Sequence, residues 1–387
     1  MKSRKILCLL LMSLLVFSGC KKENVEAPKE EVKEQTLDEK AEEMISKMTL
    51  EEKAAQLFVV FPESIVDGVS CVVAAGDTTK EAIDHTPVGG IIYLGENLQS
   101  EEQVKEMLSN VKKYSMDRIG VPPFLCVDEE GGIVSRLSNT GNFDVPKIEN
   151  MIEIGKGQDP ERAKEVGKTI GKYLNEFGFN VDFAPVADVY SNPENEIVRE
   201  RSFGTDTELV SSMALKVMEG LQEEKVNAVY KHFPGHGATA GDTHEGYAYT
   251  DKTLEELRQC ELIPFQKGIE NQVPFIMVGH ISLPQVIGDH TPASLSDTII
   301  TKLLREEMGY DGIVVTDAMN MGAVVQQYSS EEAAVKTLQA GADIILMPEN
   351  FKEAYEGVIK AVENGELTEE RIEESLTRIL KVKLSME

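Results

Sequence analysis

The chain has 387 residues, with 67 acidic against 39 basic side chains and a formal net charge of -28. A surface this negative repels nucleic acid and anionic lipid, which excludes polyanion binding as its business. Its length allows either two domains or one large barrel, so the choice falls to pattern rather than to size.

At the N-terminus, Lys2, Arg4 and Lys5 precede an apolar run from Ile6 to Phe17, the layout of a signal peptide over residues 1–19. That run is too short to span a bilayer. It closes in Phe17-Ser18-Gly19-Cys20, which resembles the lipobox of bacterial lipoproteins, although Phe17 stands where an aliphatic residue is usual. The resemblance implies cleavage before Cys20 and a diacylglycerol on its sulfur. Removing the leader takes three positive charges and no negative ones, so the charge goes from -28 to -31. Attachment to a membrane would therefore rest on the lipid anchor alone. Residues 21–37 are charged, contain Pro28 and have little to build a core from, and read as a flexible tether behind the lipidated cysteine.

From residue 38 to 387 the pattern is repetitive. Apolar runs at Gln56–Phe61, Gly90–Leu94, Pro123–Val127, Val181–Val189, Ala228–Lys231, Pro274–Gly279, Gly312–Thr316 and Ala342–Met347 alternate with amphipathic stretches, among them those beginning at Glu101, Glu161, Leu209 and Thr253. Thr49 before Glu52 and Thr253 before Glu256 are capping-box signals. The runs are continuously apolar, as parallel strands covered on both faces are. Eight such units, with no glycine-rich dinucleotide loop after the first, predict a single (β/α)8 barrel of the TIM type; an open doubly wound sheet also fits the alternation. Cys71, Cys126 and Cys260 are an odd, widely spaced set that does not form a disulfide scaffold or a zinc knot, and Cys126 reads as a core residue.

Polar residues gather just after the runs. The third leads into Asp128-Glu129-Glu130-Gly131-Gly132 and Arg136, the fourth into Asp188, Arg199 and Arg201, and the fifth into Lys231-His232, Pro234, His236, Asp242, His244 and Glu245. The sixth leads to His280 and the seventh to Asp317. In a barrel all of these reach the C-terminal rim, where such folds place their active sites. Three chemistries compete for this set. Metal-assisted hydrolysis by His232, His236, His244 and Asp242 lacks the helical spacing of a metalloprotease, because Pro234 and its glycines make the segment a loop. Schiff-base chemistry at Lys231 is opposed by neighbouring carboxylates that would keep it charged. Glycosyl transfer, with a carboxylate nucleophile, a proton donor and charged groups to hold hydroxyls, uses the whole set.

Several stretches carry a family resemblance: MTLEEKAAQL from Met48, VGGIIYLGENL from Val88, VDEEGGIVSRL from Val127, NVDFAPVADV from Asn180, RSFG from Arg201, KHFPGHGATAGDTHEG from Lys231 and GYDGIVVTDAMNMGAV from Gly309. Over about residues 45–380 the chain resembles glycoside hydrolase family 3, in particular its single-domain NagZ-type β-N-acetylglucosaminidases. The resemblance implies that Asp317 is a nucleophile forming a covalent glycosyl-enzyme, that His244 is the acid/base on a mobile loop, and that Asp242 is its partner. It implies that Asp128, Arg136, Arg201, Lys231 and His232 hold the non-reducing sugar, and that no metal or cofactor takes part. The expected substrates are peptidoglycan fragments or muropeptides with terminal GlcNAc, and the expected setting is extracytoplasmic and lipid-anchored, as a monomer. A β-glucosidase-like exo-hydrolase or a phosphorylase of the same family stays open, as does a non-catalytic cell-wall-binding lipoprotein.

Around the site, Asp182 and Asp188 are expected to pair with Arg199 or Arg201. His236 is expected to brace its loop, and His280 either to support the pocket rim or to touch substrate. His85 and His290 are expected to be surface residues with no identified partner.

Overall fold

A computed structural model describes residues 35–66, 68–241 and 248–386. The predicted signal peptide, Cys20 and nearly all of the predicted tether therefore lie outside the described residues, as do Asp242 and His244. Thr36 caps the first described helix, Leu37–Ile45, through a capping box with Glu39, so helical structure begins where the sequence reading ended its tether. Among the described residues no helix is long and apolar enough to cross a membrane.

Each of the eight apolar runs contains one strand of a parallel sheet: β1 Phe58–Val60, β2 Gly90–Ile92, β3 Phe124–Val127, β4 Val181–Asp182, β5 Asn227–Phe233, β6 Phe275–Val278, β7 Ile313–Thr316 and β8 Ile345–Leu346. The strands neighbour one another in sequence order, and β8 pairs in parallel with β1 through Phe58–Ile345 and Val59–Leu346. A parallel bridge between Val315 and Ile344 joins β7 to β8 and closes the ring. The closed (β/α)8 barrel predicted from the repeat is thus the observed architecture, and the open sheet is not.

Two predicted elements are shorter than their apolar runs. The run at Val181–Val189 yields a two-residue strand because Pro185 has no N–H to continue the ladder; beyond it only a bridge from Val186 to Lys231 remains. The helical stretch from Thr253 divides into Leu254–Arg258 and Leu262–Glu270. Pro264 cannot donate to a continuing helix but is tolerated in the first turn of a new one. Thr49 and Thr253 form the expected capping boxes, each contributing about 1 kcal/mol of local stability.

Below the rim the barrel is held by side chains. Asp343, fully buried at the entry to β8, accepts hydrogen bonds from the backbone N–H of Val314 at 2.8 Å, from Ser375 at 2.7 Å and from Arg378 at 3.2 Å, and it pairs with Arg305. On the same C-terminal helix, Glu369–Ser385, Lys383 is fully buried. Its Nζ donates to Gln56 Oε1 at 2.7 Å and lies 4.9 Å from the centroid of the Phe124 ring. Burial without a carboxylate partner pushes its pKa down from 10.5 to about 7.

The unfolded chain therefore holds the Lys383 proton more tightly than the native one, so folding stability rises with pH between about 7 and 10.5, by about 1.4 kcal/mol per unit for one group. Lys383→Met should raise the melting temperature at pH 7 and raise it less at pH 10. Thermal unfolding of both proteins at the two pH values checks this, and an equal shift at both would contradict it.

Candidate active site

β3 runs directly into a tight hairpin in which Glu129–Gly131 pairs antiparallel with Val134–Ser135. Gly131 and Gly132 turn it at φ of 91° and 58°, and a Cβ on Gly132 would lie 2.3 Å from Asn150 Oδ1, so both positions need glycine. Side chains alternate on this extended segment. Asp128 and Glu130 line the pocket, whereas Glu129 turns away from it and is fully buried. There Glu129 accepts the backbone N–H groups of Arg136, Leu137 and Ser138 at 2.6, 2.9 and 3.0 Å and the Tyr173 hydroxyl at 2.9 Å. The carboxylate thereby fixes the backbone from which Arg136 projects.

The pocket is about 270 Å³ and holds Asp128, Glu130, Arg136, Arg201, Lys231, His232, His236 and Asp317 over an apolar floor that includes Ile92, Phe183, Met277 and Leu346. Its centre is a group of buried charges. Lys231 Nζ is 2.8 Å from Asp128 Oδ1 and 2.7 Å from Glu130 Oε1. Arg201 grips Glu130 with two parallel bonds, Nε to Oε2 at 2.8 Å and Nη2 to Oε1 at 2.7 Å. Burial alone would raise the Glu130 pKa, but the two cations outweigh it and hold the carboxyl far below its ordinary range. Burial likewise works against the Lys231 ammonium, and Asp128 and Glu130 overcome it, raising its pKa. A lysine held as an ammonium is a poor nucleophile, which argues against Schiff-base chemistry.

His232 extends the group. Its Nδ1 lies 2.7 Å from Asp188 Oδ2 and its Nε2 lies 3.3 Å from Arg201 Nη2. A guanidinium can only donate, so Nε2 is the acceptor and the ring proton sits on Nδ1 against Asp188. Asp188 also accepts the backbone N–H groups of His232 at 3.1 Å and His236 at 2.6 Å. The expected pairing of Asp182 and Asp188 with arginine is therefore corrected. Asp188 holds the histidine segment, Arg201 pairs with Glu130, and Arg199 lies 3.5 Å from Glu200. Asp182 accepts the backbone N–H of Glu129 at 2.9 Å, and burial raises its pKa well above the ordinary value.

Asp317 follows β7 at the pocket wall, its Oδ1 accepting the N–H of Ala318 at 2.8 Å. Burial pushes its carboxyl up, but the electropositive surroundings of His232, His280, the Ala318 N–H and Lys231 prevail and lower its pKa. His280 bonds Ser294 Oγ at 2.7 Å and the Ala318 carbonyl at 2.9 Å, so of its two expected roles the rim-supporting one is seen. His236 bonds Thr239 Oγ1 at 2.9 Å, bracing its loop as expected, and burial lowers its pKa to about 4. His290, expected to lack a partner, lies 3.1 Å from Ser282 Oγ.

Six of the predicted site residues, Asp317, Asp128, Arg136, Arg201, Lys231 and His232, thus line one pocket. Among the described residues Arg136 Nε is a buried donor with no protein partner, as suits a group that meets an oxygen of a bound molecule. The flanks of the segment carrying Asp242 and His244 are joined by an antiparallel bridge, Ala240 N–H to Tyr249 O at 2.9 Å and the reverse at 3.0 Å. Sequence reasoning did not select Glu130, although its spacing of two from Asp128 on an extended segment was a usable signal; for Asp188 as the partner of His232 no local signal existed. A wider cleft of about 1350 Å³ opens beside Leu94 on the same rim, between the loops after β1, β2, β7 and β8, and contains none of the predicted site residues.

Residues 49–382 match the Glycosyl hydrolase family 3 N terminal domain. The chain belongs to glycosyl hydrolase family 3. It is 32% identical to β-hexosaminidase A of Pseudoalteromonas piscicida over 79% of its own length and 55% of that protein, and 33% identical to β-hexosaminidase LpqI of Mycobacterium tuberculosis over 68% of each. A solved family 3 β-N-acetylglucosaminidase from Paenibacillus sp. FPU-7 superposes with a TM-score of 0.81 at 35% identity, covering 88% of this chain and 63% of that one. The chain therefore spans little more than half of the first relative and less than two thirds of the Paenibacillus enzyme.

In this family 3 barrel, Glu130→Gln would leave Arg201 and Lys231 facing a neutral amide. Breaking a buried ion pair costs about 3–5 kcal/mol. The native Glu130 carboxyl titrates below its ordinary 4.5, so its stabilisation is complete above that value and is lost as pH falls toward the folded-state pKa. Urea unfolding should show the full deficit of the variant at pH 7 and a smaller one at pH 3; a deficit independent of pH would refute the ion-pair account.

Proposed function

We propose that this family 3 protein is a retaining, exo-acting β-N-acetylglucosaminidase. The observation that carries the reading is the Asp317 carboxylate, kept ionised at the wall of a pocket whose other charged groups are already paired with one another. A carboxylate with lowered pKa is a weak base, and it is suited to attack an electrophilic carbon rather than to remove a proton.

In this mechanism an Asp317 oxygen bonds to the anomeric carbon as the glycosidic C–O bond breaks, and protonated His244 gives its proton to the departing oxygen. Water then attacks the glycosyl-enzyme while His244 takes a proton back, so the sugar leaves with net retention. Asp242 would hold the His244 ring and favour its charged form. Both residues are assigned from the GDTHEG motif. Asp128, Arg136, Arg201, Lys231 and His232 would grip the terminal sugar. A pocket of about 270 Å³ suits one ring better than a chain, which agrees with release of single terminal residues.

The proposed substrates are peptidoglycan fragments carrying terminal GlcNAc. The FSGC sequence at Cys20 supports an extracytoplasmic, lipid-anchored setting close to the wall from which such fragments come. The NagZ-type motifs and the similarity to proteins named β-hexosaminidase favour the amino-sugar reading over a β-glucosidase-like or phosphorolytic one.

The purified protein should release nitrophenol from the β-N-acetylglucosaminide and not from the matched β-glucoside, with chelator present and without added phosphate. Asp317→Ala should lower kcat by at least about 10³-fold with its fold intact by circular dichroism. The acid limb of kcat/KM should lie below the ordinary carboxylate range, as the lowered Asp317 pKa requires. Cleavage of the glucoside alone, or an absolute need for phosphate, would move the protein to one of the rival activities.

A further inference from the structure

The segment 242–247 lies outside the described residues, but the groups that hold its two flanks do not. On the entry side, Asn195 Nδ2 donates to the His236 carbonyl at 2.8 Å and Asn192 Nδ2 to the Thr239 carbonyl at 2.9 Å. These bonds fasten residues 235–240 to the loop after β4. On the exit side, Ala248–Tyr249 pairs in parallel with Ile281–Ser282, the continuation of β6. One side chain touches both flanks and the frame between them. Glu261, fully buried at the start of the helix Leu262–Glu270, accepts from Ser191 Oγ at 2.6 Å and pairs with Lys252 through the same oxygen. Gly235 packs so closely on its stem that a Cβ there would lie 2.5 Å from Glu261 Cβ and 2.6 Å from Cγ. Gly235 also has φ of 128°, which other residues seldom adopt.

We infer that Glu261 is a positioning residue for proton transfer: by fixing Gly235, Ser191 and Lys252 together it sets the separation of the two ends of the segment that carries His244. This rests on the acid/base role proposed for His244. Glu261 does not line the pocket and cannot touch the sugar. A buried charge is a costly way to join packed segments, and well-packed apolar side chains would do so at least as well. What a carboxylate adds is direction, since it holds a cation and a hydroxyl at set places. Its Oε2 is buried and has no partner among the described residues. The Glu261 and Lys252 charges therefore balance each other, and a neutral residue at 261 would leave the ammonium free to turn away from the barrel, taking the exit flank with it.

The test is the dependence of kcat/KM on the leaving group, since this ratio reports formation of the glycosyl-enzyme, the step in which the donor protonates the departing oxygen. Full-length wild type, Glu261→Gln and His244→Ala are compared on aryl β-N-acetylglucosaminides running from dinitrophenol to methoxyphenol. The dinitrophenolate leaves without help, so Glu261→Gln should be within about threefold of wild type there. On the methoxyphenyl substrate it should fall by about ten- to a hundredfold, part of the 10²–10⁴-fold that general acid catalysis contributes, with His244→Ala falling further along the same trend. Equal losses on all substrates, or none, with a steep trend in His244→Ala, would overturn the positioning role and leave the proposed function standing. A wild type inactive on every substrate, or a flat His244→Ala series, would sink the functional reading and this inference with it. If Glu261→Gln does not fold, Lys252→Met removes the other half of the pair from a partly exposed position, and the same leaving-group trend is required of it.

Discussion

Everything at the rim depends on keeping full charges in place where water is scarce. Lys231 and Arg201 share the buried carboxylate of Glu130, and Asp128 takes the other side of Lys231. Any one of these charges alone would be expelled or neutralised by burial. Together they form a lattice whose donors and acceptors hold fixed directions before a ligand arrives, and that is what electrostatic recognition of sugar hydroxyls requires. The apolar floor beneath them adds to the effect by lowering the local dielectric and strengthening each pair.

The barrel delivers this lattice through its simplest geometric rule. Alternate residues of an extended strand face opposite ways, so the Asp-Glu-Glu after β3 sends its first and third carboxylates into the pocket and its second into the wall behind. The inward pair holds cations, while the outward Glu129 gathers three successive N–H groups of the returning hairpin. One tripeptide therefore supplies both a part of the site and the support of that part. Asp188 does comparable work after β4, gripping the ring and backbone of His232 and the backbone of His236. Support of this kind decides whether catalytic groups hold their angles.

The sequence made the strands, the rim position of the charged motifs and the membership of the pocket readable, because each rests on local pattern. Continuous apolar runs such as Ile313–Thr316 have few alternatives to a covered parallel strand, and a charged residue straight after one must lie at the rim. Pairing was not readable. Asp188 and His232 are 44 positions apart, and they meet because β4 and β5 are barrel neighbours. From the sequence alone Arg201 was as good a partner for Asp188, and only the three-dimensional arrangement commits that arginine to Glu130. The shortness of β4 was legible in principle from Pro185, whose missing N–H ends a ladder. The buried lysine below the barrel was hidden for a different reason: on an amphipathic helix, Lys383 reads as a solvated residue until the register shows it facing inward.

The seam between β7 and β8 carries a consequence for how the molecule comes together. The other neighbours in the ring join as strand ladders, whereas this one is a single bridge reinforced by Asp343 and its arginines. The Met319 N–H, two residues past Asp317, also bonds the Leu346 carbonyl at 2.9 Å, so the wall behind the carboxylate stays unfinished until β8 docks. β8 is the latest of the eight strands to leave the ribosome. A chain that has made seven strands has the gripping charges and the carboxylate in its sequence but no completed pocket to put them in, and it remains inert until its ring is sealed.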